Sequence, residues 1–372
     1  MCDIAVINDT SSTLARIRWL NSPISCDKHT YLLTPFRRKC DMQEHPFAPY
    51  VRILGRGKSN SRPLTIDEAE ASMAMILASE VLPEQIGAFL MLLRFKEEQP
   101  EEIAGFVKAA QATITIPNDA PKIDLDWSCY AGKRRQLPWF ALAAMALAQS
   151  GVKVFIHGTE GHTAGRIYAD ETFKAIGLTI ADNLTNAAKT LKTKNICYLP
   201  LKQFSPKLAD LIELKSTLGL RSPAHTIARM LNPFKAGYVL QGIFHPGFNS
   251  VHQKAAALIG QPHLSVFRGE GGEIERRPQK PVDVLSVHEG TLSTESWPAL
   301  LEDPRQTTDP NMDLSRLKSV WQGDESTPYA QAAIIGTLAI ALKLIGKVST
   351  QDGAHKRAGE VWENRNRTAL SV

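Results

Sequence analysis

Near residue 121 the chain changes its hydrophobic rhythm, and that change constrains the fold more than any other feature. Before it, capped helical segments follow one another. Thr65-Ile66-Asp67-Glu68 is a capping box and predicts a helix to about residue 80. Pro83 opens a second helix, with Ile86, Phe89, Leu90 and Leu93 on one face. Pro100-Glu101-Glu102 opens a third, carrying Ile103, Phe106 and Val107 to about residue 112. After Pro121, strand patterns at 123–127, 152–156 and 196–199 alternate with helical patterns at 138–150 and 169–176. Helical stretches then run to about residue 231. Further strands are expected at 238–244, 264–267 and 282–287, with a helix at 248–259. A polar loop at 304–310 precedes two terminal helices. Such alternation implies a mainly parallel sheet covered on both faces.

The predicted fold is therefore α/β, with a small N-terminal helical domain at 44–115 and a larger mainly parallel-sheet domain at 116–372. Helices from about 205–232 are expected to pack on the helical part. Residues 1–43 read as an N-terminal extension without sustained period, open to disorder, and a cleaner start stands at Met42. The 372 residues, 43% hydrophobic and 22% charged, suit one large or two modest globular domains. Five cysteines, at 2, 26, 40, 129 and 197, form no CxxC pair. That usage, with no apolar leader in the first 20 residues, predicts a cytoplasmic protein. The longest apolar stretch, 329–345, holds Gln331, Gly336 and Lys343 and reads as a buried helix rather than a membrane span.

Ligands of such sheets bind where loops leave the carboxyl ends of strands, so the loops at 128–137, 157–168 and 245–247 matter most. Cations gather in or near them. Arg52, Arg56, Lys58 and Arg62 precede any acidic residue of their region, and Lys133-Arg134-Arg135 occupies a strand-to-helix loop. Lys202, Lys207, Lys215, Arg221, Arg229 and Lys235 outnumber Asp210 and Glu213. Arg268, Arg276, Arg277 and Lys280 surround 270–275, whereas acids collect at 67–84 and 97–102. Charge runs usually just face water. The formal charge of +5 is mild, so only convergence of these loops would make a basic stripe. A stripe with about six phosphate contacts would lose roughly a thousandfold in affinity over a fourfold salt increase. Tyr130, Trp139 and His225 are candidates to stack bases, though Trp139 lies in an apolar helix and fits the core. His157, His162, His245 and His252 lack metal-ligand spacing. No helix-turn-helix or zinc-finger pattern is present, which predicts little sequence preference.

Three segments carry a family resemblance. They are Arg52-Ile53-Leu54-Gly55-Arg56-Gly57-Lys58 before the helices, Gly151-Val152-Lys153-Val154-Phe155-Ile156-His157-Gly158, and Leu218-Gly219-Leu220-Arg221 running on to Asn232-Pro233. Their order and spacing over about 50–350 resemble anthranilate phosphoribosyltransferases. That resemblance implies the nucleoside phosphorylase/phosphoribosyltransferase, class II-like architecture of glycosyltransferase family 3, and a homodimer formed through the helical domain. The departures are as informative. The enzymes' Gly-Thr-Gly-Gly-Asp diphosphate loop reads Tyr130-Ala131-Gly132-Lys133-Arg134-Arg135 here, and their phosphate segment reads Thr163-Ala164-Gly165-Arg166. Their magnesium-holding Asp-Glu pair aligns with Glu273-Ile274, with Glu270 and Glu275 able to compensate only by a register shift.

Arg221 is kept, followed by Ser222-Pro223-Ala224-His225, and a family Gly-Pro becomes Ala228-Arg229. This pattern is similar to the YbiB-type subgroup, which implies nucleic-acid binding rather than tryptophan synthesis. The expected phosphate-binding residues are Arg56, Lys58, Gly132, Lys133, Arg134, Arg135, Arg166, Lys215, Arg221, His225 and Arg229. The resulting expectation is a non-catalytic protein that binds DNA or RNA through a basic cleft, without cofactor or membrane. The alternative is an active phosphoribosyltransferase using phosphoribosyl diphosphate, with magnesium required only in that case. Triple replacement of Lys133, Arg134 and Arg135 by alanine is expected to abolish or sharply weaken nucleic-acid binding without unfolding the chain.

Overall fold

The computed structural model describes residues 43–57, 59–159, 161–305, 308–309 and 311–369. Residues 1–42 of the expected extension, and Lys58, lie outside the described residues.

Four helices open the described chain: Ala48–Gly55, Ile66–Leu77, Pro83–Lys96 and Pro100–Ala112. The second starts where its sequence directs. Thr65 Oγ1 accepts from the Glu68 amide at 3.2 Å and Glu68 Oε2 accepts from the Thr65 amide at 2.9 Å, closing the capping box. Phe47, Phe89 and Phe106 meet edge to face, with centroids 5.1 and 5.9 Å apart, and anchor the apolar faces. The second and fourth helices cross tightly at Gly105, where an added Cβ would stand 2.3 Å from the Ile66 carbonyl oxygen. Gly105→Ala should therefore destabilise the protein by about 1–3 kcal/mol through overpacking. Urea denaturation reads this directly, and a variant as stable as the parent would contradict the close crossing.

Seven strands follow: β1 Leu125–Cys129, β2 Val154–Gly158, β3 Ile196–Pro200, β4 Tyr238–Ile243, β5 His263–Arg268, β6 Val282–His288 and β7 Thr291–Trp297. Their order is β3-β2-β1-β4-β5-β6-β7. The first five are parallel, and β6 and β7 add an antiparallel hairpin at one edge. Residues alternating along each strand feed two separate cores. Phe155, Val239 and Val266 join Phe89, Phe106, Leu208 and Ile227, so the helical part is continuous with one face of the sheet. Trp127, Ile156, Leu240 and Phe267 pack on the other face with helices Phe140–Gln149 and Pro328–Leu344. Helices Pro206–Glu213 and Ala224–Met230 sit in the first core, beside the helical part.

Three elements differ from expectation. Strand β7 is almost wholly exposed and polar, so no buried alternation marks it. The helix Leu184–Lys194 is amphipathic with a narrow face of Ala187, Ala188 and Leu191. Three terminal helices, not two, are present: Ser315–Gln322, Pro328–Leu344 and Gln351–Glu363. The second of these buries Ala333, Ile334 and Leu338 in the core. No helix among the described residues is long and apolar enough to cross a membrane.

Candidate functional site

The loop that leaves β1 is held by the loop that leaves β2. Gly132 takes φ +69, a conformation L side chains rarely adopt. Lys133 and Ile167 then exchange backbone hydrogen bonds of 2.7 and 2.8 Å. In this short extended stretch neighbouring side chains point to opposite sides. Lys133 turns inward, where Nζ lies 2.5 Å from Glu275 Oε1 and both side chains are fully buried. The other oxygen of Glu275 accepts from the Phe140 amide at 2.9 Å, at the start of helix Phe140–Gln149. Burial pushes the Glu275 carboxyl up to about 7, with Lys133 opposing the rise.

Lys133 is thus corrected from a phosphate contact to half of a buried ion pair. Alanine there would cut that pair, so the triple replacement does not leave the fold untouched. Arg134 and Arg135 face solvent, and the Arg135 carbonyl accepts from the Asp309 amide at 2.7 Å. Arg56 is also exposed. Neither Arg56 nor Arg134 lines the cavity around which cleft cations meet.

Those cations do converge. Arg166 Nη1 donates to the carbonyls of Ala131 and Gly132, each at 3.0 Å. Lys215 Nζ donates to the His162 carbonyl at 2.9 Å and to Thr163 Oγ1 at 2.7 Å. Arg229 Nη1 donates to the His225 carbonyl at 2.9 Å, and its guanidinium lies 5.9 Å from the Tyr130 ring centroid. Arg221 makes no hydrogen bond or ion pair among the described residues. Arg166 and Arg221 act on their neighbours as like charges. Burial, then Arg166, lowers the proton affinity of Arg221. Burial, then Arg221 and Arg166, does the same to Lys215. Arg229 is lowered by burial, opposed by Glu273 and reinforced by Arg221. Arg94, from the last turn of helix Pro83–Lys96, meets Arg221, His225, Arg229 and Phe244 around a cavity of about 110 Å³. Glu98 lines the same cavity, and burial raises its carboxyl above the usual range.

None of the three expected stacking rings is available. Tyr130 Oη lies 2.7 Å from His157 Nδ1, and His157 Nε2 lies 3.1 Å from Asp126 Oδ1, in a chain sealed inside the sheet. Trp139 belongs to the core, and His225 is buried with Nε2 unpartnered. The ring that does reach solvent is Phe244, 46% exposed, with the Arg268 guanidinium 6.0 Å from its centroid. Its sequence signal was its position, directly after β4 and before His245-Pro246-Gly247. Arg94 gave no such signal, because only packing brings the helical part to the cleft.

Burial holds several histidines neutral: His225 falls to about 2, and His252, whose Nδ1 lies 2.7 Å from Gln241 Oε1, falls to about 3, with Arg229 adding to the effect. A depressed histidine contributes stability that is full above its unfolded value near 6.5 and is lost as pH falls below it. Relative to the parent, His252→Gln should therefore gain about 2 kcal/mol between pH 7 and pH 5. Urea melts at the two pH values measure the difference. A constant difference would mean His252 titrates normally in the folded protein.

The acidic residues do not fit a magnesium site. Glu273 Oε1 accepts from the Ala131 and Gly132 amides at 2.6 and 2.5 Å, and Glu275 is held by Lys133 and Phe140. Both carboxylates are buried rather than open to the cleft. Among the described residues no group of three or more His, Cys, Asp or Glu is arranged to hold a metal ion.

A helical bundle feeding a mainly parallel sheet of this order defines a class II-like phosphoribosyltransferase architecture. Residues 49–113 match the helical bundle domain of a glycosyl transferase family. The YbiB protein of Escherichia coli (strain K12) is 30% identical over 234 residues, covering 62% of this chain and 72% of that one. The anthranilate phosphoribosyltransferase of Novosphingobium aromaticivorans is 28% identical over 232 residues, covering 62% and 70%. The crystal structure of anthranilate phosphoribosyltransferase from Thermus thermophilus superposes with a TM-score of 0.74 at 18% identity, over 88% of this chain and 97% of that one. The Saccharomyces cerevisiae enzyme in complex with PRPP and Mg gives 0.70 at 16% identity, over 87% and 95%. The chain belongs to the anthranilate phosphoribosyltransferase-like family, within glycosyltransferase family 3.

Proposed function

We propose that this chain is a non-catalytic member of its family, with degenerate phosphate loops, that binds the phosphate backbone of DNA or RNA with little sequence preference. One observation carries the reading. Arg166, Lys215, Arg221 and Arg229 crowd together, and burial with neighbouring like charges weakens the hold of the last three on their protons. The carboxylate whose charge reaches Arg221 and Arg229, Glu273, is turned to backbone amides. A like-charge cluster of this kind is costly unless an anion completes it. Guanidinium groups bind phosphate oxygens well. Phe244 at the rim supplies a face for a base. The protein is expected to act as a cytoplasmic homodimer joined through its helical part, where Leu82 and Phe95 are exposed; sedimentation equilibrium reads that assembly.

Titration of the full chain with fluorescent single-stranded and duplex oligonucleotides at several salt concentrations tests the reading. Absence of binding at low salt would end it. The second reading is an active phosphoribosyltransferase. Retained Gly132 and Arg221, and the likeness to an enzyme solved with PRPP and Mg, favour it. The inward-facing Glu273 and Glu275 weigh against it, because magnesium binds substrate phosphates through such carboxylates. Calorimetry with phosphoribosyl diphosphate and magnesium separates the two, since tight metal-dependent uptake belongs only to the enzyme.

A further inference from the structure

Successive backbone amides in a turn can converge on one point and form a small anion-binding nest. The amides of Ala131 and Gly132 do so, and the point they share is Glu273 Oε1, at 2.6 and 2.5 Å. Gly132 makes the turn by taking φ +69. Glycines elsewhere let the Glu273 backbone come close. A Cβ on Gly242 would stand 2.3 Å from the Glu273 carbonyl carbon, and one on Gly269 would stand 1.6 Å from its oxygen. Glu273 is 1% exposed, and its second oxygen is buried without a hydrogen-bond partner. A carboxylate placed only for stability would be expected to satisfy both oxygens. Here only Oε1 is held, by the two nest amides, with the buried Cys129 thiol beside the carboxylate.

The surroundings favour negative charge at that point. Arg166 is fastened to the carbonyls of Ala131 and Gly132, and the charges of Arg229 and Lys133 act on Glu273. Burial nonetheless raises the Glu273 carboxyl above the usual range, with the Gly132 amide and Arg229 opposing. The nest and its cationic rim would thus accept a small anion if the side chain were withdrawn.

We propose that the Ala131–Gly132 amide pair is an oxyanion-binding nest kept shut by the chain's own Glu273, and that inorganic phosphate is the class of ligand it excludes. The carboxylate stands in for the ligand and leaves the outer cations free for other anions. This holds whether or not the outer cleft binds nucleic acid, so oligonucleotide affinity is measured in parallel as an independent readout.

The test is calorimetric titration of Glu273→Ala and of the parent with sodium phosphate at fixed ionic strength. The variant should bind one phosphate per chain at least about tenfold more tightly than the parent. A folded variant no better than the parent would overturn the inference. Glu273→Gln keeps the side-chain shape, so it guards against a variant that fails to fold. It should leave the nest filled and phosphate binding unchanged. In a 15N-labelled sample it should also move the Ala131 and Gly132 amide resonances most, because a charged acceptor becomes neutral. If those two resonances stay in place, the carboxylate does not hold the nest and the inference fails.

Discussion

Lys133→Ala is expected to lower folding stability by about 3–5 kcal/mol, a large part of the roughly 5–15 kcal/mol of an ordinary protein. The loss comes less from the missing attraction than from what remains. Glu275 would be left fully buried, held only by the Phe140 amide. Its carboxyl already sits at about 7 through burial, with Lys133 opposing the rise. Without the lysine it would hold its proton more firmly still. The deficit should therefore be small near pH 4.5, where the unfolded chain is protonated too, and grow as pH rises through 7. Adding Glu275→Gln should recover at least half of the loss, because an amide can stay buried without charge. Urea denaturation at pH 5 and pH 8 measures all of this. A single variant within about 1 kcal/mol of the parent at pH 8 would show that the pair is not sealed in the interior.

The second large effect is on nucleic-acid affinity. Arg94, Arg166, Lys215 and Arg221 are the partly exposed cations of the cleft. Four phosphate contacts to a single strand give a slope of about −2.8 in log affinity against log salt. Affinity should then fall about fiftyfold between 50 and 200 mM salt. This is less than the thousandfold expected from six contacts. Lys133 is buried and Arg229 is only 8% exposed, so neither offers an open contact. Replacing Arg166 and Arg221 together by alanine should roughly halve the slope. Removing Arg221 should not destabilise the protein, since it pairs with nothing described and sits among like charges. Binding that is strong but indifferent to salt would contradict the proposed cleft.

The alternation after residue 121 was legible because a parallel sheet with two buried faces needs apolar strands and covering helices at set intervals. The capping box at Thr65 and the prolines at 83 and 100 also acted locally, through hydrogen bonds and backbone restraint within one turn. Strand β7 was not legible. Its pairing with β6 is written in the Glu289-Gly290 turn, where both residues take positive φ, rather than in hydrophobic alternation.

The cationic loop shows the same divide at single residues. Sequence placed Lys133, Arg134 and Arg135 correctly at the carboxyl end of a strand but could not assign each side chain a direction. Lys133 found its acceptor in Glu275, 142 residues further along the chain. Glu273 met the Ala131 amide across the same span.

What this protein's sequence determined alone was its helical part, the layered sheet and the loops where ligands would sit, since those follow from periodicity and short-range capping. Which charges in those loops remain open to an anion was decided only by tertiary structure. Burial strips water from a charge, and a charge so stripped must take whatever partner the fold brings to it.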